Sequence, residues 1–166
     1  MGLSIDQVGI GRRRAAIVCG VTDATLTNWL GSRYGLFRDE PTPRPYVFSE
    51  IMSVRFLRDA IEYGLPVHQT LPTANQRSPW RALIEGRAQM RLVRDAAGRL
   101  IDIGHAEGDP DEPTLIWPVR PLVTKTWTRF AAAALDQARS PEEARALSAM
   151  LSETGDRLQK LLDTAT

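Results

Sequence analysis

The sequence predicts a mainly α-helical fold with a small β component, an α+β protein, and three observations predict it. Apolar residues recur at helical spacing over 48–64 and 141–163, two strand-like runs over 88–105 flank a glycine-containing turn, and prolines at 41, 43 and 45 forbid helix between the first helical segments. At 166 residues and 43% hydrophobic composition, the chain can bury one real core, or one small domain plus an appendage.

The elements follow in order. A glycine-rich opening gives way to RRRAAIVCG, a short helix over 12–19 ended by Gly20, a residue suited to the left-handed helix stop. Thr22 or Asp23 can cap a second short helix, ending near Gly31, that buries Leu26, Trp29 and Leu30 and presents Asp23, Thr25, Thr27 and Asn28. Asn28 and Thr25 fall opposite Leu26 and Trp29 in this pattern. Two short helices joined by a tight glycine-containing turn make a helix-turn-helix. Pro41, Pro43 and Pro45 favour extended backbone, with Tyr46 and Phe48 on one face of a short strand, so residues 33–48 read as a loop or small β-wing.

Ser49 is placed to cap a helix carrying Ile51, Val54, Leu57 and Ile61 on one side and stopped by Gly64 and Pro66. Residues 65–76 carry no decisive pattern. Ser78-Pro79 opens a helix through Ile84, ended by Gly86. QMRLVRD and RLIDIGH form a hairpin about Ala96-Ala97-Gly98, and TLIWPV is a third strand whose Pro118 suggests an edge. The acidic loop GHAEGDPDEP separates them. KTWTRFAAAALDQAR is helical, and Ser140-Pro141 restarts the chain with Glu142 and Glu143 at the positive end of the helix dipole. In that last helix Ala144, Leu147, Leu151, Thr154, Leu158 and Leu161 alternate spacings of three and four, the seam of a coiled coil, interrupted by Thr154 and Gly155. Leu147, Leu151, Leu158 and Leu161 are therefore the expected dimerisation stripe. The domain boundary is expected between 77 and 78.

Composition excludes several classes. Twenty-one basic and 20 acidic residues leave a net charge of +1, no polycationic signature. Residues 1–80 hold 9 arginines and 7 acids, while 81–166 hold 12 basic and 13 acidic residues, so what positive excess exists lies in the N-terminal half. Cys19 is the only cysteine, which excludes an internal disulfide and a cysteine-ligated zinc site and fits a reducing cytoplasm. No apolar run approaches the ~18 residues of a membrane span, and MGLSIDQVGIGRRR has no export-signal pattern. Neither a nucleophile motif nor a phosphate-cradling glycine loop occurs, and with only His68 and His105 available no enzyme activity is expected. The cluster His105, Glu107, Asp109, Asp111 and Glu112 carries two prolines and reads as a solvated turn, so no metal or cofactor is expected.

The order of two-helix unit, proline-rich wing and a helix opening on aromatic-x-aromatic-Ser-Glu is the informative feature. Gly20-Val21-Thr22, Thr25-Leu26, Trp29, Tyr34-Gly35-Leu36, Arg44-x-Tyr46, Phe48-Ser49-Glu50 and Arg55-Phe56-Leu57 with Ala60-Ile61 and Gly64 make residues 12–64 resemble the winged helix-turn-helix module of MerR-type transcription regulators. The family usually has an arginine directly after the Thr-Leu pair, where this chain has Thr27, and often a charged residue where it has Leu30. The resemblance implies a sequence-specific DNA-binding transcriptional regulator acting as a homodimer on double-stranded DNA. Asn28 suits an adenine edge and the threonine methyls suit thymine methyls. Arg12, Arg13, Arg14, Arg33, Arg38, Arg44, Arg55 and Arg58 suit phosphates, and Tyr46 belongs to the wing. The alternative is an architectural, excisionase-like or antitoxin-type DNA-binding protein whose C-terminal half grips a protein partner through Trp117, Leu122, Trp127 and Phe130.

Overall fold

Small residues after the three arginines let α1 (Arg12–Cys19) pack closely, burying Ala15, Ala16, Val18 and Cys19 before Gly20, at φ 73°, stops it. In the computed structural model, which describes residues 7–41 and 43–166, the chain turns through Val21 into α2 (Asp23–Leu30). Thr22 is the cap: its hydroxyl accepts the Thr25 N–H at 3.0 Å. Leu26 and Trp29 are buried and Leu30 partly so.

The strand at Tyr46 forms, but not as a hairpin. β1 (Gly9–Ile10), upstream of α1, pairs antiparallel with β2 (Tyr46–Val47), Gly9 opposite Val47 and Ile10 opposite Tyr46. Phe48, expected on the strand, instead begins α3 (Phe48–Glu62). Ser49 is not the cap either. It is buried, and the Glu50 carboxylate reaches back to accept the Val47 N–H at 3.0 Å, half of a capping box.

α3 is the central element, packed on by α1, by α4 (Val67–Asn75), by α5 (Ser78–Ile84) and by α6 (Arg120–Leu135). α4 lies in the segment whose sequence is ambiguous, and it contains Pro72. A proline removes one helical hydrogen bond, yet buried Ala74 and a Thr73 hydroxyl donating to the Leu100 carbonyl at 2.8 Å hold the helix by packing. The expected hairpin forms from β3 (Gln89–Arg94) and β4 (Leu100–Asp102), and β5 (Leu115–Pro118) adds antiparallel to β3, giving the order β4-β3-β5 with β5 at an edge. The fold is thus mainly α with a small β component.

One buried cluster runs through both halves of the chain. Phe48 meets Trp127 edge-on at 5.0 Å and Phe130 at 5.2 Å between ring centres, and Phe56 meets Trp117 at 5.1 Å. The expected boundary falls at the α4–α5 turn, and the core is continuous across it.

The last helix, α7 (Pro141–Thr164), is capped by Ser140, whose hydroxyl accepts the Glu143 N–H at 3.1 Å. Its stripe requires a correction. Leu151, Thr154, Leu158 and Leu162 are buried in this chain's own core, while Leu147 and Leu161 are only partly covered. Steps of three, four and four follow the 3.6-residue period of a straight helix, so Leu162 replaces the Leu161 that a heptad requires. Gly155 is explained by α6: a Cβ there would stand 3.0 Å from the Trp127 indole nitrogen.

Candidate nucleic-acid interface

The start of α1 breaks a local rule. Its first turn carries three arginines and no acid, although the positive end of a helix dipole favours carboxylates. Two are compensated from elsewhere: Arg12 pairs with Asp23 at 3.1 Å, and Arg14 with Asp136 at 2.7 Å. Arg13 is exposed and has no ion pair among the described residues.

On α2 the outward face consists of Ala24, Thr27 and Asn28, all exposed. The side chains of Thr27 and Asn28 make no hydrogen bond among the described residues, so their donors and acceptors face outward unused. Thr25 does not share this face. It is half-buried on the flank, and its hydroxyl lies 2.8 Å from that of Thr22. Asp23 is occupied by Arg12.

The wing arginines divide. Arg33 lies over the Tyr34 ring at 5.2 Å, and Arg38 donates to the Ser32 carbonyl at 3.3 Å; both are exposed and without a carboxylate. Arg44 is instead part of the fold. The Glu50 carboxylate, wholly buried, accepts from both Arg44 terminal nitrogens, from Arg77 at 2.9 Å and from the Val47 N–H. This hydrogen bonding holds the Arg44 guanidinium still more firmly charged than usual. Arg77 also reaches Glu40 at 2.8 Å, so one carboxylate ties the wing, the start of α3 and the α4–α5 turn together.

Three further candidates are likewise structural. Tyr46 is buried, and burial pushes its phenol upward from the usual value. Arg55 is buried and paired with Asp59 at 3.0 Å, beside Gly20 at the end of α1, where a cation favours the dipole. Arg58 is shared between Asp59 and Glu62. Sequence identifies an arginine but not its partner, which is why Arg44, Arg55 and Arg58 stand among the phosphate-contact candidates. Glu50 and Arg77 were missed in that role, although an acid at the third position of a helix otherwise buried from 48 to 57 is a legible signal.

Between the α1–α2 unit and the α6–α7 turn lies an open cleft of about 1390 Å³. Arg12, Arg13 and Arg14 form one wall, Gln137 and Arg139 the other, and Thr27 and Leu30 of α2 stand at its margin. Gln137 locks the walls: its side-chain oxygen accepts the Gly11 N–H at 2.9 Å and its amide donates to the Gly9 carbonyl at 3.0 Å. No residue of the acidic loop at 104–113 lines this cleft, and among the described residues no cluster of three His, Cys, Asp or Glu could hold a metal.

No protein-family model, curated protein or solved structure matches the chain. Among the described residues no helix is long and apolar enough to cross a membrane.

Proposed function

We propose that the protein is a sequence-specific DNA-binding transcriptional regulator that acts as a dimer, with α2 as the base-reading helix. The observation that carries this reading is the unused polar face of α2, where Thr27 and Asn28 stand exposed without side-chain hydrogen bonds among the described residues and Thr27 shares the cleft with the unpaired Arg13. A short helix fastened from behind by Leu26 and Trp29 and offering an amide and a hydroxyl suits a major groove about 12 Å wide. Arg13, Arg33 and Arg38 supply the cations for phosphates. With Leu151 and Leu158 committed to the core, pairing of subunits falls to other surfaces, including the rim residues Leu147 and Leu161.

Selection of bound duplexes from a random library tests this. The unaltered chain should enrich a consensus with two half-sites, and Asn28→Ala should relax one base position by ~1–3 kcal/mol while non-specific binding persists. An unchanged consensus in Asn28→Ala removes α2 from base reading, and failure to retain any duplex removes DNA from the function.

A second reading, an architectural or antitoxin-type DNA-binding protein that grips a protein partner, is favoured by one patch. Tyr63 is 81% exposed with its ring edge-on to Trp117 at 5.5 Å, and Leu115 and Ile116 are exposed on edge strand β5. Trp117, Leu122 and Phe130, expected on that surface, are core residues, and Trp127 is partly buried against the core. Crosslinking across a genome separates the two: recurrent promoter palindromes support the regulator, and scattered sites the second reading.

A further inference from the structure

Two arginines in the cleft stand where the chain's own electrostatics leaves them unanswered. Arg13 lies in the first turn of α1, and Arg139 immediately precedes Ser140, the cap of α7. Each is a cation at the positive end of a helix dipole, and neither side chain makes an ion pair or hydrogen bond among the described residues. The carboxylates at the same opening do not relieve them. Asp136 is held by Arg14, and Glu143 accepts the Arg139 backbone N–H at 2.7 Å. Arg12, Arg14 and Arg44, which also line the cleft, are paired with Asp23, Asp136 and Glu50, so Arg13 and Arg139 against Glu143 leave the opening with a net positive charge. Glu142 and Glu143 in the first turn of α7 answer that helix's dipole but pair with neither guanidinium, so Arg13 and Arg139 stay open to negative charge supplied by an outside group.

We infer that this cleft seats the sugar-phosphate backbone of DNA, gripped by Arg13 from the N-terminal half and Arg139 from the C-terminal half; the inference rests on the DNA-binding reading above. Thr27, at the margin of the cleft, also belongs to the outward face of α2, so a duplex read by that helix brings a flanking strand to the opening. The cleft is open rather than closed around a small ion, and its two planar guanidinium groups suit phosphate oxygens. Gln137 fixes its width before any ligand arrives, which lowers the ordering cost of binding.

Salt titrations of the full chain by fluorescence anisotropy, on a selected and a scrambled duplex, test the assignment. Arg139→Ala and Arg13→Ala should each weaken binding by the same factor on both duplexes and lower the slope of log affinity against log salt by about 0.9, leaving the selected consensus unchanged. Arg139→Lys should retain the slope. Lys160→Ala, far along α7 and outside the cleft, should behave as the unaltered chain, and matching thermal melts establish that all variants are folded. If Arg139→Ala leaves affinity and slope unchanged while Arg13→Ala and Asn28→Ala reduce binding, the seat is overturned and the DNA reading stands. If the unaltered chain binds no duplex, both fall. If inorganic pyrophosphate binds by calorimetry, is lost in Arg139→Ala, and DNA affinity is nonetheless unchanged in that variant, the cleft belongs to a small phosphorylated ligand and the inference is wrong.

Discussion

At the scale of single residues, the buried ion pairs decide which substitutions report on function. Arg44→Ala leaves the buried Glu50 carboxylate with only part of its charge compensation, and removing one partner of such a pair costs roughly 3–5 kcal/mol. It should therefore lower the urea midpoint in the absence of DNA, whereas Arg38→Ala should leave stability within about 0.5 kcal/mol of the parent. Equal midpoints for the two variants would place Arg44 outside the core network. Cys19 makes a different prediction. Burial pushes its thiol far above the ordinary range and holds it neutral, with its Sγ donating to the Ile51 carbonyl. Tyr46 is shifted in the same direction by burial. For both groups the unfolded chain ionises first, so their stabilising contribution is complete below the unfolded pKa values, about 8.5 and 10, and declines as pH rises beyond them. Urea midpoints measured from pH 7 to 10.5 should fall above about pH 8.5. Alkylation of Cys19 at pH 8 should proceed only as fast as the protein opens.

Among the elements, those with strong local signals were legible and those held by distant contacts were not. Gly20, Thr22, Gly86, Ser140 and the turn at Ala96–Gly98 each act where their chemistry says they should. β1 was invisible because two residues have no periodicity, and α4 because Pro66 and Pro72 mask a helix that packing sustains. In the candidate site, the polar face of α2 could be read from helical spacing, except that the real helix rotates Thr25 to the flank. The wall contributed by Gln137 and Arg139 could not, since 126 residues separate Gln137 from its partner Gly11. α7 shows how a spacing of three and four misleads: heptad and straight-helix periods diverge only after several turns, and the core selects the latter. Leu158→Asp should consequently unfold the chain, with loss of near-ultraviolet dichroism, rather than yield a folded monomer. Sedimentation showing a folded, smaller species would return Leu158 to a subunit interface.

For the whole molecule, the decisive fact is that Phe48 of α3 is enclosed by Trp127 and Phe130 of α6. A fragment ending at residue 77 loses α5, α6 and the three-stranded sheet, uncovering the faces of α1 and α3 that α5 and α6 cover. It should show residual helicity without a cooperative thermal transition, and a sharp two-state melt of that fragment would mean that the N-terminal half carries a sufficient core alone.

The same enclosure has a consequence for the nascent chain. At ~5–20 residues per second, the stretch between Phe48 and Phe130 takes on the order of 4–16 s to synthesise, and the partners of Gly9 and Gly11 emerge later still. During that interval α1 and α3 exist without the surface that orders them, so the face carrying Asn28 and Arg13 takes its final shape only as translation nears the start of α7. Fusion partners or slow codons placed between α5 and α6 would lengthen this exposure, and the yield of folded protein should fall with the delay, a dependence that pulse-labelled proteolysis of stalled chains can measure directly.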